Sequence, residues 1–434
     1  MSIDTRTIAR GELFVAIRGE RFDGAEFAEA AIEKGAAGVV VPRGSSAKVS
    51  AGRVVIEVDD TTRALQALAH AIRRESGTSV VAITGSAGKT TTKEVTSELL
   101  AARYRVIRNR GNFNNHIGLP LSLVELRSRP EVAVVELGMN HAGEISTLVR
   151  VAEPDVRVWT NVGEAHLGFF ASVDAIADAK AEILEGAKSS TVLVANADDP
   201  RVAARASAFA GRVVTFGIDR AANVKASAVA DRGIDGTSAH VTTPAGEVEL
   251  DVPLIGRANL ANVLAATAVA INYDVALGTI AERVAMLRPA SHRGEIVKLS
   301  SGATVIDDSY NANPTATKRA LEVLQRSSAG RRIAVLGEML ELGDRSTALH
   351  EDVGRAAATG GVDVLVTVGG APAEAMADAA TAAGMPKTRV QYLATSEQAA
   401  DAVSALVGRG DLVLVKGSRG VKTDRVVERL KERG

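Results

Sequence analysis

The chain has 434 residues, enough at roughly 100–200 residues per domain for about two to four domains, each with its own core. Its 51 lysines and arginines stand against 52 aspartates and glutamates, a formal net charge of -1, so no electrostatic bias marks it for nucleic acid. Cysteine is absent, which excludes disulfides, thiolate metal sites and cysteine nucleophiles and leaves oxygen and imidazole to hold any metal.

A short apolar strand over 13–17, a helical stretch over 25–34 and a second strand over 38–41 predict a small α/β domain at 1–76. The first ten residues lack a signal-peptide core, and no apolar stretch reaches the ~18 residues needed to span a bilayer, so a cytoplasmic protein with no membrane span is expected. Ser76-Gly77-Thr78 breaks the helical pattern of 62–74. Beyond it, apolar strands at 80–84, 132–136, 156–161 and 191–195 alternate with helical segments, the pattern of a parallel sheet with crossover helices. The stretch 222–253 reads as a β-rich excursion. After Pro289 the alternation restarts, with strands at 304–307, 333–337, 364–368, 390–393 and 412–415. The expected fold is therefore α/β in three domains: a small N-terminal domain (1–76), a central P-loop parallel-sheet domain (77–288) and a C-terminal Rossmann-like doubly wound domain (289–434).

The sharpest chemical signal is Gly85-Ser86-Ala87-Gly88-Lys89-Thr90-Thr91, set between an apolar strand and a helical run. Backbone amides and the positive end of the helix dipole converge there on one point, which makes an anion cradle. Lys89 would meet the β- and γ-phosphates and the Thr90 hydroxyl would ligate Mg²⁺. The spacing is a shortened form of the usual phosphate loop; the bland alternative is a glycine turn with a surface lysine. Glu136 ends a strand at the carboxyl edge of the predicted sheet, where a carboxylate is costly unless it meets a cation. His166 lies just beyond another strand; alone, such a histidine is more often structural than a metal ligand. Lys180 has Ile176 one turn before it and Leu184 one turn after. It is either a snorkelling side chain or a desolvated lysine whose neutral amine is a nucleophile.

The loop Gly111-Asn112-Phe113-Asn114-Asn115-His116 is dense in amide side chains, as a turn or a binding loop would be. Arg293, the run Asp307-Asp308-Ser309-Tyr310-Asn311-Ala312-Asn313-Pro314 and Lys416-Gly417-Ser418-Arg419 flank or follow strands of the last domain, where a doubly wound sheet opens its crevice.

In this order, these segments resemble the Mur ligases, in particular the type that adds D-alanyl-D-alanine. The likeness begins at Asp4-Thr5-Arg6 and Gly11-Glu12-Leu13-Phe14-Val15-Ala16, which look like the family's uridine-nucleotide domain. It runs through Glu136-Leu137-Gly138-Met139-Asn140-His141 and Ala179-Lys180-Ala181-Glu182-Ile183 to Gly337-Glu338-Met339-Leu340-Glu341-Leu342-Gly343. The resemblance implies an ATP-dependent, ADP-forming ligase of peptidoglycan precursor synthesis, joining D-alanyl-D-alanine to UDP-N-acetylmuramoyl-tripeptide through an acyl phosphate. Its implied cofactors are ATP, Mg²⁺ and CO₂ as a carbamate on Lys180, and it is expected to be monomeric. Glu136, His166, Thr90 and Lys180 would serve the metal, with Lys89 acting on the phosphates. Asn259 or Asn262 would contact adenine, with Arg293 and Asp308 closing on the nucleotide. Thr5, Arg6, Asn112, Asn114, Asn115, Asn311, Asn313, Lys416 and Ser418 would face the other substrates. Gly256-Arg257-Ala258-Asn259 lacks the family's usual histidine, Leu167-Gly168 stands where it has Leu-Glu, and the stretch ahead of Asp4 is short, which implies either a reduced uridine domain or a misplaced start. A Mur-type ligase for another carboxylate and amine, or a P-loop switch, are the rival readings.

Overall fold

The computed structural model describes residues 1–19, 21–45, 52–165 and 167–433. Contacts divide the chain into two compact units: Met1–Ile83 with Tyr104–Arg157 and Glu182–Thr191, and Thr84–Arg103 with Val158–Ala181 and Val192–Gly434.

The first unit opens with a parallel sheet, β1 (Leu13–Val15), β2 (Gly38–Pro42) and β3 (Val54–Val58), with β2 in the middle. The middle strand is buried along Gly38-Val39-Val40-Val41, as an unbroken apolar run requires. The sequence reading missed β3, because its valines and Ile56 are exposed on both faces and show no alternation. The helix Thr61–Ser76 starts where the Asp60 carboxylate accepts from the amides of Thr62 and Arg63, and stops at Gly77 in the left-handed region at φ 68°. The stretch expected as one helix over 25–34 is instead a 3₁₀ turn, Gly24–Phe27, followed by an α-helix, Ala28–Glu33. Three further parallel strands follow, β4 (Ser79–Thr84), β5 (Val106–Arg108) and β6 (Val132–Glu136), with β6 between the other two. The chain passes into the second unit along β7 (Val156–Trp159).

In the second unit β8 (Val192–Asn196), β9 (Arg212–Gly217) and the start of β10 (Val224–Asp231) pair in parallel. Then β10, β11 (Thr237–Thr243) and β12 (Gly246–Val252) form an antiparallel meander, the β-rich excursion expected at 222–253. At the edge, β12 alternates outward Glu247, Glu249 and Asp251 with inward apolar residues, and His240 of β11 meets Glu249 at 2.7 Å. A second sheet has the order β13-β14-β18-β15-β16-β17. Its strands are β13 (Glu295–Lys298), β14 (Thr304–Asp308), β15 (Arg331–Gly337), β16 (Val364–Val368), β17 (Val390–Leu393) and β18 (Asp411–Lys416). All pair in parallel except β13, an antiparallel edge strand. Its core is valine-rich, including Val305, Val335, Val366 and Val413, the composition a sheet buried on both faces demands. The ends of β14, β15 and β18 lie side by side and carry Asp308, Gly337 and Lys416.

Candidate active site

The phosphate loop lies between β4 and the helix Lys89–Leu100, whose N-cap is Gly88 at φ 81° with no side-chain cap. The first-turn amides of such a helix have no intrahelical partner and are the usual seat of an anion. Side chains from elsewhere in the second unit close the loop. Asn161 accepts from the Ala87 amide through Oδ1 at 2.9 Å and donates to the Ala87 carbonyl through Nδ2 at 3.0 Å. Thr160 donates to the same carbonyl at 2.7 Å. Ser86 donates to the Gly163 carbonyl at 3.2 Å and accepts from the Gly163 amide at 2.9 Å. The glycines are required by space as well as by φ: a Cβ on Gly85 would run into Thr160 Oγ1, and one on Gly88 into Asn262 Oδ1. Lys89 folds back over the loop and donates to the Gly85 carbonyl at 2.8 Å. A loop closed this tightly around the N-terminus of a helix fits a polyphosphate.

Asn262 is 6% exposed, takes the Thr92 hydroxyl at 3.3 Å and donates to Asn259 Oδ1 at 3.1 Å, so it braces the loop from the helix Arg257–Asn272. Asn259 in turn donates to the Ile255 carbonyl. Lys180 sits in the last turn of the helix Val173–Ala181 and is only 1% exposed, so it does not snorkel to water. That helix ends before Leu184, which belongs to a following 3₁₀ turn and not to the same helical face.

In the first unit, Glu136 is buried at the end of β6. Its Oε1 accepts from Asn114 Nδ2 at 2.8 Å, and its amide donates to Asn109 Oδ1. Asparagine loop and strand-end carboxylate are thus brought together. Asn115 instead accepts from the Ile117 and Gly118 amides and starts the next helix, while Asn112 is exposed. Arg6 is spent on Asp4, gripping both carboxylate oxygens and holding that carboxyl down at about 2, while the Thr5 carbonyl takes Lys34. Among the described residues no three acidic or imidazole groups cluster as a metal cage. His166 lies outside the described residues.

In the C-terminal part of the second unit, Lys416 is 4% exposed and donates to Asp308 at 2.6 Å and to the Asn311 carbonyl at 2.9 Å. The Arg293 guanidinium lies 4.1 Å from the centroid of the Tyr310 ring, and Arg419 lies 5.5 Å from it. Asn313 caps the helix Pro314–Arg326 through the Ala316 amide, and Ser418 accepts from the Leu340 amide at 2.9 Å. Two histidines escaped the sequence reading. His292, at φ 60°, bonds buried Asp307, which also takes the Ser309 hydroxyl. Fully buried His350 donates from Nδ1 to the Ser346 carbonyl and accepts the Met339 amide at Nε2, and burial pushes its pKa down. No local pattern announces either role, because Asp307 lies 15 residues from His292 and Met339 lies 11 from His350.

Family models match the chain in three successive segments: "Mur ligase family, catalytic domain" at residues 1–73, "Mur ligase middle domain" at 83–270, and "Mur ligase, glutamate ligase domain" at 292–419. The UDP-N-acetylmuramoyl-tripeptide--D-alanyl-D-alanine ligase of Bacillus subtilis is 37% identical over 433 residues, covering 100% of this chain and 93% of the relative. The chain belongs to the Mur ligase family. Its counterpart of the same name in Escherichia coli is 34% identical to this Mur ligase, over 100% of the chain and 94% of the relative. Among solved structures, MurF from Acinetobacter baumannii superposes with a TM-score of 0.89 at 32% identity, covering 99% of this chain and 92% of that one. MurF ligase from Thermotoga maritima in complex with ADP gives 0.88 at 28% identity, covering 100% and 97%. The α/β fold expected from the sequence is therefore that of a three-domain Mur ligase, an ATP-dependent, ADP-forming enzyme. No helix among the described residues is long and apolar enough to cross a membrane.

Proposed function

We propose that this Mur ligase joins D-alanyl-D-alanine to UDP-N-acetylmuramoyl-tripeptide in peptidoglycan precursor synthesis, in the cytoplasm and as a monomer. The domains are taken as 1–76, 77–288 and 289–434. The observation that carries the reading is the coexistence of a tightly closed phosphate loop with full-length likeness to relatives that bear this name. ATP, as co-substrate, supplies the γ-phosphate that activates the peptide carboxylate, and the dipeptide amine then displaces phosphate from the acyl phosphate. Lys89 and the amides of Gly88 to Thr91 offset the charge that develops on the transferred phosphoryl group. The Thr90 hydroxyl, Glu136 and His166 hold Mg²⁺, Asn259 or Asn262 meets adenine, and Arg293 with Asp308 contacts the rest of the nucleoside. Thr5, Arg6, Asn112, Asn114 and Asn115 serve the UDP-linked substrate. Asn311, Asn313, Lys416 and Ser418 frame the dipeptide.

Lys180 carries a carbamate in the active enzyme. Burial favours a neutral amine, the form that adds CO₂, and a carbamate is an anion that can orient a metal where an ammonium would be repelled. The deciding assay measures ADP and inorganic phosphate with the UDP-linked tripeptide and the dipeptide supplied separately and together. Sustained release only with both supports the reading; AMP and pyrophosphate, or turnover without a carboxylate, overturn it. Loss of activity in CO₂-depleted buffer, restored by bicarbonate, tests the carbamate.

A further inference from the structure

Within the second unit the stretch after β7 meets the phosphate loop at Gly163 and the loop that follows β15 at Gly168. At one end, Gly163 exchanges two hydrogen bonds with Ser86 of the phosphate loop. At the other, the Gly168 amide donates to the Glu341 carbonyl at 2.8 Å. Between them, Glu164 faces Arg345 at 3.6 Å. The receiving loop is itself fastened: the Leu340 amide donates to Ser418 Oγ, the Ser418 amide donates to the Glu338 carbonyl, and the Met339 amide donates to buried His350.

The meeting point is a contact between two glycines. A Cβ on Gly168 would lie 3.1 Å from the Gly343 amide nitrogen and 3.2 Å from the Glu341 carbonyl oxygen, and one on Gly343 would lie 2.9 Å from Gly168 Cα. The obstructing atoms are backbone, which cannot swing aside as a side chain does. Both Glu341 and Gly343 have positive φ, 65° and 57°, so the receiving loop is held in a left-handed turn that presents its backbone to Gly168. Gly168 has no such φ, so at 168 an alanine is limited by the contact alone.

We propose that Gly168 is a positioning residue: its missing side chain sets how closely the loop after β7 meets the 338–343 loop, and so fixes Ser418 relative to the phosphate loop. The catalytic consequence rests on the ligase reading above, whereas the spacing of the two loops does not. Because the chain has no cysteine, a pair introduced at exposed Ala204 and Asp378 takes spin labels at those two positions only. Distances from pulsed electron resonance are compared for the native sequence, Gly168→Ala and Gly168→Val, alongside ADP affinity and steady-state kinetics. A side chain at 168 is expected to shift or broaden the distance distribution in order of size. It should raise KM for D-alanyl-D-alanine, by about tenfold in Gly168→Val, with ADP affinity unchanged. Arg345→Ala, which spares the glycine contact, should move the distance less than Gly168→Val. Distributions that coincide in all variants overturn the proposal, as does an unchanged KM in a protein that turns over both substrates. If the native chain shows no dipeptide-dependent turnover, the ligase reading fails and the distances alone still decide the role of Gly168.

Discussion

The phosphate loop and the loops that end β14 and β18 are both dense in polar residues, yet they use them in opposite ways. In the phosphate loop Lys89 turns back onto the loop's own backbone, and the side chains that close the loop come from remote positions: Thr160, Asn161 and Asn262. In the 308–314 and 416–418 loops the polar side chains belong to the loops themselves, and several are already engaged by other groups of the protein. Asn313 caps a helix, Ser418 takes an amide, and Lys416 binds a carboxylate and a carbonyl. Asn115 in the first unit does the same. A dense polar motif is therefore as much a record of how a turn is built as of what it binds.

The sharpest way to break this comparison is Lys89→Ala. Removing the cation that offsets charge on the transferred phosphoryl group should lower kcat/KM by about 10³-fold or more with an unchanged thermal midpoint, read from ADP release and calorimetry. A variant that keeps a tenth of native activity would place the lysine outside the chemistry. Next in size is Gly88→Ala, where the new Cβ meets Asn262 and the positive φ is strained. ADP affinity should fall by about 10²-fold, read by titration calorimetry; an unchanged affinity would show that the loop yields to the new side chain. A smaller effect is expected from Asn313→Ala, the loss of a helix cap worth about 1 kcal/mol in denaturant unfolding. A raised KM for the dipeptide without that loss would return Asn313 to the substrate.

The smallest effect concerns pH. His350 is held below its ordinary pKa by burial and accepts an amide proton that only the neutral ring can take. The unfolded chain protonates it first, near pH 6.5, so stability should decline as pH falls from there to the folded pKa and then level off for this group. His350→Gln, which keeps an acceptor but cannot titrate, should flatten that part of the profile. Parallel profiles for the two proteins would remove His350 from the account.

The strands β6 and β16 lie where apolar runs placed them, because strands buried on both faces leave a continuous signal. The edge strands β3 and β13 were missed although each holds apolar residues, Val54-Val55-Ile56 and Ile296-Val297; both are short and lie exposed or half-buried at a sheet edge. The phosphate loop was legible for a similar reason: seven consecutive residues build it. Lys180 was readable as a residue on an apolar face, but its burial depends on packing that only the fold supplies. His350 and Asn161 act on residues 11 and 74 positions away, and one chain alone carries no trace of such pairings.

The outer edge of β12 bears on how the protein behaves in a crowded solution. A strand at the end of a sheet offers unpaired amides and carbonyls to any other strand, and uncharged edges of this kind seed fibrils. Here Glu247, Glu249 and Asp251 project from alternate positions, so a second copy approaching in antiparallel register would bring a row of carboxylates against its own. The sheet is thereby made self-avoiding at neutral pH. That insulation is electrostatic: it weakens as salt rises or as the carboxylates are neutralised by acid, and under those conditions this edge is where the folded protein would begin to associate.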